Sequence, residues 1–232
     1  MFKNGLDIYA LAEDMLDIQD VTLILNEYYF NTLSELKFKT LLDVGCGSGG
    51  FLLELSQKYP LVESMGIDLS EVMVKNSQAK GLNVHAVDLC KVDKKFDVIT
   101  AIFDMVNYLD EKQLKRFLSC IEDHLEEGGH FICDINTLYA FKVVASGSFI
   151  KDMEERFLTI DSDYIDADGA YYMDFTLFLK KGEVFTKLQD SITQYYHKVE
   201  KLKRLTKMKL LVKTPISIYA NTTDKFYLVF KK

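Results

Sequence analysis

Apolar positions along the first forty residues recur at helical spacing. Ile8, Leu11, Ala12 and Met15 share one face, and a second group runs from Val21 to Leu33. The rhythm then changes to short apolar runs separated by amphipathic stretches. Thr40 to Val44 reads as a buried strand ending in a glycine cluster, Phe51 to Tyr59 as a helix stopped by Pro60, and Val62 to Ile67 as a second strand. Ser70 caps a helix that runs to about residue 80, with Gly81 as its stop. Asn83 to Val87 and Phe96 to Phe103 are the third and fourth strands. Asp110 with Gln113 three residues on forms a capping box. The helix behind it puts Leu114, Phe117, Leu118, Ile121 and Leu125 on one face and ends at Gly128-Gly129, and Phe131 to Ile135 is the fifth strand.

Strands alternating with helices of this length imply a doubly wound α/β fold, with a parallel sheet covered on both faces. After Tyr139 the rhythm breaks. Tyr171, Met173, Phe175, Leu177 and Leu179 alternate with more polar neighbours, as in a half-buried strand, and Asp168-Gly169 and Lys181-Gly182 stand where hairpin turns belong. A small antiparallel cap of about three strands is therefore expected over residues 139–197, inserted into a main domain made of residues 1–138 and 198–232. A Lys-rich helix near 198–207 follows. Two last strands, Ile216 to Tyr219 and Phe226 to Phe230, are joined by a loop short enough for a hairpin.

Composition narrows the function. The chain has 232 residues, 28 basic and 35 acidic, for a net charge of −7, which disfavours the clustered positive footprint of a nucleic-acid binder. The basic run from Lys198 to Lys213 is interrupted at helical spacing by Val199, Leu202 and Leu205, and reads as a solvated amphipathic helix. Cys46, Cys90, Cys120 and Cys133 have no metal-ligand or framework spacing and read as reduced, buried thiols; the four histidines make no metal pattern either. The first residues do not resemble a leader, and no stretch reaches the ~18 apolar residues of a membrane span. A cytoplasmic protein, monomer or homodimer, is expected.

The chemistry concentrates in Leu41-Leu42-Asp43-Val44-Gly45-Cys46-Gly47-Ser48-Gly49-Gly50-Phe51, a strand leading through glycines into a helix. Glycines allow close backbone approach to a ligand, and the helix N-terminus offers free N–H groups. The glycines and Asp68 alone also fit a nicotinamide-dinucleotide fingerprint. Asp43, inside a buried strand, and Asp88-Leu89, at the end of the third, fit it less well. An acidic residue at the end of each of three successive strands places three carboxylates at the edge where open α/β sheets bind ligands.

These segments resemble the motifs of the class I S-adenosylmethionine-dependent methyltransferases. The glycine segment is similar to their first motif, Gly66-Ile67-Asp68-Leu69-Ser70 to the second and Asp88-Leu89 to the adenine motif. Phe96 to Thr100 with Asp104 to Leu109 resembles their fourth strand and its loop, and Glu127 to Phe131 the turn into strand five. The resemblance implies a seven-stranded mixed sheet with its last strand antiparallel, and a subgroup carrying an antiparallel cap after strand five. It further implies S-adenosylmethionine as donor and S-adenosylhomocysteine as product. Asp43, Gly45, Gly47 and Ser48 then belong to the methionine end, Asp68 and Leu69 to the ribose, and Asp88 and Leu89 to the adenine, with Phe103 and Asp104 bordering the sulfonium and Cys46 and Met73 as further donor-binding residues.

On the acceptor side the candidate catalytic residues are His197, Tyr196 and Asp104. Tyr9, Asn107, Tyr108, Asn136 and Tyr139 are candidate substrate contacts, and no metal ligand is expected. The favoured reading is methyl transfer to an O or N atom of a small molecule. The alternatives are an RNA or protein methyltransferase, or a non-catalytic protein that binds the donor.

Overall fold

The computed structural model describes residues 5–232; residues 1–4, on which the expectation about a leader partly rests, lie outside the described residues. Seven strands form the main sheet: β1 (Thr40–Val44), β2 (Glu63–Ile67), β3 (Val84–His85), β4 (Phe96–Ala101), β5 (Leu125–Asn136), β10 (Lys209–Ile216) and β11 (Lys225–Lys231). Their spatial order is β10-β11-β5-β4-β1-β2-β3. β1 to β5 are parallel, while β11 runs antiparallel to both of its neighbours, β5 and β10. This is the expected α/β sheet.

Alternation along β1 divides two cores. Leu41 points to the face covered by α2 (Gln19–Ser34) and α3 (Gly50–Lys58), where Leu25, Tyr29, Leu52 and Leu55 are buried. Leu42 points to the face covered by α5 (Glu111–His124) and α6 (Val199–Leu205), against Phe117, Ile121 and Leu202. Burial on both faces is why these strands read as continuous apolar runs. From β1 the chain moves outward to β2 and β3, then returns to β4 on the other side. The carboxyl ends of β1 and β4 therefore flank a crevice at the point of reversal.

The second sheet is an antiparallel meander of four strands, β6 (Gly147–Met153), β7 (Arg156–Ile165), β8 (Ala170–Lys181) and β9 (Val184–Tyr195). The two expected turns lie where they were predicted, but there are four strands, not about three. β6 pairs with β7 from Gly147 opposite Ser162 to Met153 opposite Arg156; as a largely exposed edge strand, it carries only Phe149, Ile150 and Met153 as apolar residues and so gives little periodic signal. The inner face of the cap, with Leu158, Phe175, Leu177 and Ile192, packs on Ile8, Ala12 and Met15. The two apolar groups of the N-terminal region thus enter different cores: α1 (Gly5–Ala12) joins the cap, and α2 joins the main sheet.

Three further expectations are corrected. The fifth strand begins at Leu125, which pairs with Phe96, so the preceding helix stops at His124, well before the glycine pair. The penultimate strand is Lys209–Ile216, not Ile216 to Tyr219. Its lysines on an open edge masked it. The segment read as strand is instead a loop wrapped around Asp224, whose carboxylate accepts the Ile218, Tyr219 and Ala220 N–H groups. Finally, Cys90 and Cys120 form a disulfide with Cα atoms 5.2 Å apart, while Cys46 and Cys133 are free and buried. A separation of 30 residues gave no local sign of that pairing.

Candidate active site

The glycine turn leaves β1 with three residues in the left-handed region, Gly45 (φ 70°), Gly47 (φ 52°) and Gly49 (φ 78°). A Cβ on Gly45 would lie 2.4 Å from Met105 Cγ, and one on Gly49 would lie 2.5 Å from Leu82 Cδ1. Gly47 differs, since a Cβ there would meet nothing within 4 Å and the residue borders a cavity. Packing thus requires the outer two glycines, and the middle one keeps the backbone open to a ligand. The turn is pinned from β2. The Gly45 and Cys46 N–H groups donate to the Ile67 carbonyl at 2.8 and 3.1 Å. The Asp68 carboxylate accepts from the Gly47 N–H at 2.9 Å and the Ser70 N–H at 2.8 Å. Ser70 then caps α4 (Glu71–Gln78).

The cavity beside this turn has a volume of about 550 Å³. On the β2–β3 side it is walled by Asp68, the exposed apolar Leu69, Val87 and Leu89, with Arg116 and Phe117 of α5 opposite. Asp88 receives both Arg116 nitrogens at 2.9 Å, and this guanidinium holds its carboxyl below the usual carboxylate range. On the β4 side the wall is Ile102, Phe103 and Phe51, with Thr22 and Asn26 from α2. Tyr9 and Glu13 from the N-terminal region, Tyr108, and Ile192 of β9 close over the top.

Behind Phe103 lies a buried polar cluster. Phe103 and Asp104 both have positive φ, 61° and 53°, an unusual pair for residues with side chains. One carboxylate holds them there: Asp134 accepts the Phe103 N–H at 2.7 Å and the Asp104 N–H at 2.9 Å, and the Tyr29 hydroxyl donates to it at 2.7 Å. Lys225, with 0% exposure, donates to Asp104 at 2.6 Å, Asp134 at 3.0 Å and Asn136 at 2.8 Å. Burial works against its charge, but Asp104 and Asp134 outweigh that and hold the ammonium above the usual lysine range. The second oxygen of Asp104 accepts from Gln194 of the cap at 2.6 Å. Burial pushes the Asp104 carboxyl upward, with Lys225 pulling the other way.

Of the residues singled out from sequence, Gly45, Gly47, Asp68, Leu69, Met73, Asp88, Leu89, Phe103, Tyr9 and Tyr108 line the cavity. Asp43, Cys46 and Ser48 lie behind the turn, Ser48 donating to Glu13 at 3.1 Å. Asn107 is fully buried; it donates to the Tyr195 carbonyl and accepts from the Asn136 N–H, so it ties β5 to the cap. Tyr139 and Tyr196 are half-buried away from the cavity lining. His197 is buried with one ring nitrogen 2.8 Å from the Leu109 carbonyl, and it too is outside the lining. Burial lowers its pKa, favouring the neutral ring. Sequence reasoning missed Asn26, Lys225, Asp134 and Gln194.

Asp43, 2% exposed, accepts from the Thr100 hydroxyl at 2.7 Å, and burial pushes its carboxyl up to about 7. Because the folded value exceeds the unfolded one, this group favours the fold fully below the unfolded value near 3.8, and that contribution is lost as pH rises toward about 7. The thermal midpoint of the ligand-free protein should therefore fall across this window, and the fall should be smaller in Asp43→Asn. Parallel melting curves from pH 4 to 8 check this; equal slopes for the two proteins would rule it out.

A family model described as a methyltransferase domain matches residues 41–129, which span the glycine turn to the start of β5. A crystal structure of a S-adenosylmethionine-dependent methyltransferase from Clostridium acetobutylicum ATCC 824 superposes with a TM-score of 0.79 at 26% identity, over 98% of this chain and 99% of that one. At that coverage the superposition takes in the cap and the C-terminal strands.

Residues 41–129 form a methyltransferase domain, on the fold of a S-adenosylmethionine-dependent methyltransferase.

Among curated proteins, a putative methyltransferase of Geobacillus sp. (strain WCH70) is 29% identical over 135 residues, 54% of each chain, so this chain matches about half the length of that relative. The sugar N-methyltransferase KedS8 of Streptoalloteichus sp. shares the fold, with a TM-score of 0.73 at 16% identity over 100% of this chain and 94% of that one. The cavity fits the methyltransferase donor in two respects. Gly47 leaves an open cradle at the turn, and Asn26 brings an unpaired acceptor to the wall: its amide N–H donates to Glu54 at 3.1 Å, which leaves a buried Oδ1 with no partner.

Proposed function

We propose that this chain transfers the methyl group of S-adenosylmethionine to an amino nitrogen of a small molecule. The observation that carries the reading is the charge of the cavity wall. Glu13, Asp68 and Asp88 line it, whereas the one cationic lining residue among those described, Arg116, is bound to Asp88. Such a wall favours a sulfonium and an ammonium, and it disfavours a phosphate or a nucleic-acid backbone. The fold shared with a sugar N-methyltransferase is in keeping with an amine acceptor.

The donor supplies a methyl carbon already activated on a sulfonium. The task left to the protein is orientation and exclusion of water. In this reading Asp68 fixes the glycine turn and faces the ribose, while Leu69 and Leu89 cover the apolar rings. Asp104 has one oxygen on Lys225 and the other on Gln194. It therefore ties Lys225 to Gln194 of the cap behind the Phe103 wall, its charge met by the lysine, and is poorly placed to shuttle protons. His197 and Tyr196 support the neck of the cap and do not touch the acceptor.

Labelled donor offered with amino sugars, alkylamines, their hydroxyl counterparts and tRNA tests the reading. Label should appear in amines alone. Transfer to hydroxyls or tRNA, or no transfer to any acceptor by a protein that binds the donor, would contradict it.

Asn26 belongs to the amino-acid end of the donor. Adenosine lies toward β2 and β3, and Asn26 stands on the opposite, β4 side of the turn. An unpaired buried acceptor costs about 1–3 kcal/mol, so its retention points to a ligand N–H. Asn26→Leu should weaken S-adenosylhomocysteine on the order of tenfold and leave methylthioadenosine, which has no amino-acid end, unchanged. Calorimetric titration with both ligands measures this; an equal loss for both, or none, would remove Asn26 from that role.

A further inference from the structure

The wall at the β3 end of the cavity is held to α5 by the core packing of Leu89, by the His124 ring 2.6 Å from the Val92 carbonyl, and by two further ties of different strength. Leu89 and Cys90 belong to a single turn of helix, Leu89–Lys91, and both line the cavity. Opposite, Gln113, Arg116 and Phe117 of α5 line it too, and Cys120 continues the same face at helical spacing. One tie is the Arg116–Asp88 pair, whose arginine is more than half exposed, a contact of small worth. The other is the Cys90–Cys120 bond. The two remaining cysteines are buried and unpaired, so this is the one cysteine pair in the chain.

We propose that Cys90–Cys120 is a thiol-responsive latch on the adenine wall, closed and binding-competent when oxidised, and loosened when a dithiol reduces it. The proposal rests on the donor-site reading above. Cys90 faces the cavity while Cys120 is buried, so an incoming thiolate attacks the Cys90 sulfur and Cys120 leaves as thiolate, taking up a proton. The second thiol of the reductant then attacks the mixed disulfide and releases Cys90. The reductant supplies both electrons and becomes a disulfide itself. After reduction, the short turn that carries Leu89 keeps its core packing, the His124–Val92 contact and the exposed ion pair but loses its covalent link to α5, and a ligand must restrict the motion that the bond had removed. Linkage makes the effect reciprocal: a ligand that prefers the oxidised form stabilises the disulfide against reduction by the same factor, and by covering Cys90 it also slows the thiolate's attack.

Protein oxidised with glutathione disulfide, protein reduced with dithiothreitol, and Cys120→Ser, which alters no cavity-lining residue, are each titrated with S-adenosylhomocysteine. The reduced protein and the serine variant should bind on the order of tenfold more weakly than the oxidised protein, as expected when an extra segment must be ordered. The ligand should also lengthen the half-time of reduction, followed by alkylation and intact mass. Affinities equal within about twofold in all three forms would overturn the latch while leaving the donor site intact. Four alkylatable thiols after oxidation would overturn it as well. No binding by any form would overturn the donor reading and the latch with it.

Discussion

Lys225→Met should lower the thermal midpoint by roughly 10 °C, because removing one partner of a buried ion pair typically costs about 3–5 kcal/mol, and a domain of this size loses about 2–4 °C per kcal/mol. The substitution preserves length and apolar stem, so the loss comes from charge. Asp104 and Asp134 would be left as two carboxylates around an uncharged chain, with Asp134 still bound to Tyr29 and two backbone N–H groups. Adding Asp104→Asn removes one of the two charges and should restore about half of the loss, since that charge and the lysine act as a unit. Melting curves of the single and double variants decide the matter. A double variant no more stable than Lys225→Met would mean that the lysine supports the fold through packing, not charge.

Asp68→Ala should weaken S-adenosylhomocysteine by at least ~100-fold, since hydrogen bonds to a charged group are worth about 1.5–3 kcal/mol each and two are lost from the turn itself. The Gly47 and Ser70 N–H groups both depend on this carboxylate, so its removal frees the turn and the start of α4 together. Asp68→Asn keeps one acceptor oxygen and should fall between the two. Titration of the three proteins measures the series. A variant that binds as tightly as the native protein would show that the turn holds its shape without Asp68.

The parts of the site legible in the sequence are those whose logic is local. A strand, three glycines and a helix start are contiguous, and Asp68 and Asp88 stand at strand ends that periodicity locates. Residues joined only by the fold gave no such sign. Lys225 meets Asp104 across 121 residues, Gln194 meets the same carboxylate across 90, and Asn26 reaches its place through the packing of α2 on α3. Lys225 in particular reads as an ordinary surface lysine at the start of a strand, and only the register of β11 with β5 sets it opposite Asn136 at the buried end of the sheet. His197 and Tyr196 were singled out for their chemical types at the edge of the cap, but type alone does not tell a residue that faces the cavity from one that seals the neck behind it. The Lys-bearing strand β10 and the edge strand β6 escaped for a related reason: most positions on both faces of each are exposed or only partly buried, so burial never wrote an alternating pattern into them.

Calorimetric titration of the native protein with S-adenosylhomocysteine and, in parallel, with NAD tests the central claim most directly. Micromolar binding of S-adenosylhomocysteine and no heat with NAD is the result the glycine turn, Asp68 and the acidic wall require. Binding of NAD in its place, or of neither ligand, would contradict it.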